Sequence, residues 1–182
     1  MFVKKKVLWI ICFTILFGLT FAYFATRNYL KTQIMLEDND DVHNYICDYI
    51  ENHIFSFWSR SDFRTICEYR LLGFDAQYIY IYAKGEDFQP SKTDNEKLFR
   101  TNASLAEIRL TYKHQNGSLV ITEAATPKEG ENYSEQLVQL FPDAVRNRIY
   151  INEENAILDE LVIKRAFHVF DLPYNPANCL DY

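Results

Sequence analysis

The sequence predicts an α+β domain carried behind an N-terminal hydrophobic helix, and three observations predict it. A charge-free apolar run opens the chain, alternating β-branched and aromatic runs fill its middle, and helical periodicity with proline stops closes it. The expected order is a transmembrane helix, a second helix, a four-stranded antiparallel sheet in meander order, and C-terminal helices on one face of that sheet.

The opening run is Val7 to Ala25, VLWIICFTILFGLTFAYFA, without charge or proline. Nineteen helical residues span roughly 28 Å, close to the hydrocarbon thickness of a bilayer. Lys4, Lys5 and Lys6 precede it, which holds the N-terminus in the cytoplasm and sends the remainder across. A signal peptide is the competing reading, but its apolar core is usually about 7 to 15 residues. Cutting after Ala25 or Ala22 would also put Tyr23 or Thr20 where a small residue belongs. The expected organisation is therefore a cytoplasmic N-terminus (1–6), an anchor (7–25), a juxtamembrane linker (26–41), an exported domain (42–172) and a tail (173–182). The expected localisation is a single-pass cell-membrane protein with its domain extracytoplasmic.

Behind the anchor remain about 150 residues, enough for one domain with its own core. The 48% hydrophobic and 16% aromatic content suits a folded chain. The net charge of -6 includes Lys4, Lys5 and Lys6; without them 16 basic residues face 25 acidic ones, a balance of -9. That sign repels phosphate backbones and excludes nucleic acid from the expected partners. Cys12 lies in the anchor, leaving Cys47, Cys67 and Cys179, with no CxxC spacing. A Cys47–Cys67 disulfide stays open for an oxidising compartment, while the composition favours reduced, packed thiols.

The acidic run Glu37 to Asp41 lacks the glycine and terminal glutamate of a calcium loop and reads as a linker and helix start. From Val42 to Trp58, Val42, Tyr45, Ile46, Tyr49, Ile50, His53, Ile54 and Phe57 recur at helical spacing, with His53 on the apolar face. Four strands follow: Phe63–Leu72, Gln77–Lys84, Ser104–His114 and Ser118–Thr126. Asn116-Gly117 joins the last two as a hairpin signal. The polar stretch from Gly85 to Thr101, with Pro90, reads as a loop. Helices are expected over Glu131–Phe141, just after Pro142, and from Asn152 to about Phe170. Pro142 should divide the first two, with Phe141 buried and Arg146 and Arg148 exposed.

The segments EYRLLG, YIYIYAKGEDF and ATPKEGENYSEQLVQLFPDAVRNRI resemble a family of uncharacterised small exported, membrane-anchored α+β domain proteins of Gram-positive bacteria. The resemblance covers about Glu68 to Phe170. It rests on Pro127, Gly130, Tyr133, Phe141, Pro142 and Arg146, with tyrosines in the second strand where a tryptophan is usual. It implies an α+β domain and supplies no activity and no catalytic residue.

No motif carries recognisable chemistry. GxSxG, HxxxH and HExxH are absent, and the glycines form no phosphate cradle. Glu86-Asp87 and Glu153-Glu154 are ordinary pairs for an acidic chain, and three Asn-x-Ser triplets carry no weight without a known host. No catalytic residue, metal ligand or cofactor is expected. The candidate binding residues are Tyr78, Tyr80 and Tyr82, one stripe of the second strand, with the competing reading that this stripe packs under a helix. The functional expectation is a membrane-tethered interaction module for a protein or small-molecule partner. The alternatives are a small-molecule sensor with a pocket between sheet and helix, or a hydrolase without a recognisable motif.

Overall fold

The computed structural model describes residues 2–56, 62–149 and 152–181, with the side chains of 2–13, 25 and 152–155 outside the description. The chain forms two compact units, 1–40 and 41–182. The first is helix α1, Phe2–Glu37. Its Thr20 and Thr26 hydroxyls donate to the Phe17 and Ala22 carbonyls, so both polar groups are satisfied within the helix. Ile15, Leu16, Phe17, Leu19, Phe21 and Phe24 are all more than half exposed. Among the described residues, no helix is long and apolar enough to cross a membrane. The expected anchor lies partly outside the described side chains, at 7–13 and 25.

The second unit is α+β, as expected, but its sheet is mixed and five-stranded. Strands β1 (Arg64–Phe74), β2 (Tyr78–Pro90), β3 (Leu98–Gln115) and β4 (Ser118–Ala125) pair antiparallel in chain order. A fifth strand, β5 (Cys179–Asp181), pairs parallel with Leu98–Arg100 of β3. The expected tail thus supplies a strand, fastened by an ion pair from Arg100 to Asp181 at 2.8 Å.

The expected Gly85–Thr101 loop is mostly strand. Its polar residues belong inside the sheet: Asp87 accepts from the Thr65 hydroxyl at 2.7 Å and the Asn102 amide at 3.3 Å, and Glu86 pairs with Lys84 at 3.0 Å. Polar composition signals a loop only when those groups need water. Gly85 leaves room for the Phe55 ring, whose atoms would lie 2.7 Å from a Cβ built there.

Side chains alternate across the sheet. One face carries Leu72, Tyr80 and Tyr82 under Leu137, Val145 and Leu158 of α3 (Tyr133–Leu140), α4 (Asp143–Ile149) and α5 (Asn152–Val169), and under Phe141, which caps α3. A second cluster there joins Ile66, Phe88 and Leu98 to Val162, Ala166 and Phe167 of α5. Pro142 separates α3 from α4 as expected, and Phe141 is buried. Arg146 is half-buried, with its guanidinium donating to the Phe141 carbonyl at 2.7 Å, and Arg148 donates to the Leu72 carbonyl at 2.6 Å. Arg148 is exposed as expected and Arg146 is not, and both tie α4 to its neighbours.

Helix α2 (Asp40–Ile50) ends in a π-helical turn, Glu51–Phe55. It lies along the outer side of β1 and over the opposite face, with Phe55 above Gly85 and the Tyr45 hydroxyl accepting from the Ile121 amide at 3.2 Å. The expected continuation to Trp58 falls outside the described residues. His53 is exposed rather than on the packed face, stacked on Tyr49 at 4.2 Å.

Candidate metal centre

Helical spacing sets His43 and Cys47 of α2 and Glu51 of its π-helical turn on one stripe, each four residues from the next. Across from that stripe runs β1, the edge strand of the sheet. An edge strand presents unpaired backbone groups, and here α2 supplies partners for them. The Glu51 carboxylate accepts from the Cys67 amide at 2.9 Å, and the Cys67 thiol donates to the Cys47 carbonyl at 3.4 Å.

At the far end of the stripe, Nε2 of His43 lies 2.8 Å from Oε2 of Glu68 and 3.7 Å from Sγ of Cys47. The three donor atoms lie within 4.8 Å of one another. The Tyr69 ring stacks on the imidazole, with centroids 4.6 Å apart and planes 21° from parallel, and so fixes its orientation. Cys47 and Cys67 are free thiols and fully buried. Solvent reaches the cluster from His43, whose side chain is 34% exposed against 10% for Glu68.

The electrostatics follow from this crowding. A hydrogen bond from the Cys67 thiol, helped by His43, holds the Cys47 thiol below its ordinary value against the opposing effect of burial. The sulfur of Cys47 and then the Glu68 carboxylate push the His43 imidazole up to about 10. Burial pushes the Cys67 thiol and the Glu51 carboxyl up. Arg165 of α5 stands behind the stripe, hydrogen-bonded to Asn44 and 3.6 Å from Glu51. Burial works against its charge, and Cys47 and Glu51 restore it.

Two chemistries compete for such a set. A nucleophilic relay needs the thiol on one ring nitrogen and the orienting carboxylate on the other. Here sulfur and carboxylate meet the same nitrogen, and Cys47 has no exposed surface for a substrate. Convergence on one point instead suits a cation. A tetrahedral ion about 2.3 Å from sulfur and 2.0 Å from nitrogen sets those two donors about 3.5 Å apart. The observed 3.7 Å needs little adjustment, while the carboxylate would move outward by about half an ångström from its present contact. The buried Tyr69 hydroxyl has no hydrogen-bond partner among the described residues. Its burial first, then Cys47 and Glu68, push its pKa up, so this unsatisfied donor borders the cluster.

The expected tyrosine stripe lies elsewhere. Tyr80 and Tyr82 are buried in the core under the C-terminal helices, Tyr80 with its hydroxyl donating to Asp75 at 2.8 Å. Tyr78 is half-buried beneath the Arg109 guanidinium at 4.6 Å. The stripe therefore packs under helices and offers no open platform. The cluster's visible signal was His43-x-x-x-Cys47, the same helical spacing as HxxxH; Glu68 had none, because nothing local links it to α2.

Comparison with known proteins returns no matching family model, no matching curated protein and no matching solved structure.

Proposed function

We propose that the chain is a membrane-tethered extracytoplasmic binding module whose folded domain holds a divalent transition-metal ion. The convergence of one imidazole nitrogen, one thiol sulfur and one carboxylate oxygen within 4.8 Å carries this reading. Calcium and magnesium take oxygen ligands in six-fold or higher coordination, whereas zinc takes nitrogen, sulfur and oxygen in fours. Three protein ligands leave a position for water or a partner's donor on the His43 side. The tether reading is supported by the apolar Val7–Ala25 run behind three lysines.

Cobalt(II) titration of the full chain in uncharged detergent tests the metal reading. A thiolate-to-cobalt charge-transfer band should grow to one equivalent, vanish in Cys47→Ser and persist in Cys179→Ser. No band, or a band that survives Cys47→Ser, would overturn the reading. Alkaline carbonate washing of native membranes tests the tether separately: the full-length chain should stay in the pellet, and its release would remove the anchor without touching the metal site.

A further inference from the structure

Strand β3 is longer than its outer neighbours can cover. On that side β5 pairs with Leu98–Arg100 and β4 with Arg109–Gln115. Between them, Ala103 stands in the β2–β3 irregularity and Ser104–Ile108 pairs only inward with β2, and among the described residues nothing hydrogen-bonds the outward backbone groups of either. In such a strand every second residue turns its N–H and C=O outward. The gap is thus a notch in the sheet, one strand spacing deep (about 4.8 Å) and about 20 Å long. Asn102, with φ 49°, marks one end with an irregularity.

Natural edges are usually blunted by lysine, proline or a covering element. The notch sequence ASLAEI has neither lysine nor proline, and its one charge is Glu107. Leu105 is 57% exposed there. Beside it opens a hollow lined by Lys84, Glu129, Ala156 and Asp159. Lys84 is already engaged by Asp159 at 2.6 Å and Glu86 at 3.0 Å, so the hollow's lining is net acidic through Glu129 and Asp159, and the strand adds Glu107.

We propose that this notch receives an extended peptide segment of a partner protein, added as a strand between β4 and β5, with apolar side chains over Leu105 and Ala156 and basic ones toward Glu107 and Glu129. Main-chain hydrogen bonds would supply the affinity and alternate side chains the choice of partner. A second folded copy fits poorly, because β4 and β5 both stand out beyond the Ala103–Ile108 edge and keep another sheet's edge at a distance. This surface is independent of the metal cluster.

The test uses the full chain in uncharged detergent with three synthetic octapeptides: valine alternating with lysine, valine alternating with glutamate, and the lysine peptide with two central prolines. Hydrogen exchange should slow at Ala103–Ile108 by about tenfold or more with the lysine peptide. By fluorescence anisotropy the glutamate peptide should bind about tenfold more weakly, and the proline peptide, which lacks the needed N–H groups, should not bind. Leu105→Lys changes an exposed residue and should weaken the lysine peptide while leaving the circular dichroism unchanged. Lysine-peptide binding without slowed exchange at Ala103–Ile108 would overturn the proposal. So would protection there in the free chain, which would show the edge already covered. Protection that rises with chain concentration alone would assign the notch to a second copy and equally overturn it.

Discussion

The two margins of this sheet solve the same problem in opposite ways. At β1 the helix side covers the strand: Glu51 accepts from the Cys67 amide, the Cys47 carbonyl accepts from the Cys67 thiol, and His43 meets the Glu68 carboxylate. At β3 the outward backbone of Ala103–Ile108 has no such cover among the described residues. The contrast teaches that covering an edge can itself create chemistry. A helix laid against an edge strand needs a polar group to satisfy the strand, as Glu51 does for the Cys67 amide, and the same apposition brings the His43 imidazole and Cys47 thiol of the helix to the Glu68 carboxylate of the strand. An edge left bare keeps only backbone chemistry, which suits a peptide.

The largest expected effect comes from stripping the covered margin. Glu51→Ala leaves the buried Cys67 amide without its acceptor and Arg165 with Asp48 as its remaining carboxylate, and should cost about 3 kcal/mol. Thermal unfolding of the full chain in detergent measures it. A loss within about 0.5 kcal/mol would show that α2 does not depend on this contact. Next is metal linkage. Zinc at a hundredfold excess over its dissociation constant should stabilise the domain by about 2.7 kcal/mol, and His43→Ala should abolish the shift. Equal shifts in both chains would place the zinc elsewhere.

Smaller is the effect of Tyr45→Phe, which removes the acceptor for the Ile121 amide where α2 crosses the sheet. The expected loss is about 1 kcal/mol, checked by denaturant unfolding. The smallest effect belongs to the open margin. Leu105→Lys should leave stability within about 0.5 kcal/mol of the parent chain. A loss several times larger would mean that Leu105 is packed and the two margins are not so different.

Much of the scaffold could be read from the residues. Alternation located β1 and β4 to within about two residues and the centres of β2 and β3, whose facing ends run six residues further than expected; Asn116-Gly117 gave the last turn, and Pro142 divided α3 from α4. Local physics settles such features, since each depends on dihedral preference or side-chain period. The reading failed where polar residues were satisfied by distant partners. Glu86 and Asp87 made a strand look like a loop, and β5 was too short to carry a period.

The candidate site divides along the same line. His43 and Cys47 share a helix face by spacing alone, and the sequence determined that they would be neighbours. Whether Glu68 or some other acidic residue joined them depended on how α2 lies along β1, which buries Ile46 and Ile50. That placement is a compromise among the whole sheet's packing demands, and no local pattern encodes it. The same packing put Tyr80 and Tyr82 under the C-terminal helices, where a period-two stripe alone could equally have faced solvent. Sequence by itself fixed which residues share a face; the tertiary structure alone decided what each face meets, because burial is a property of the assembled layers.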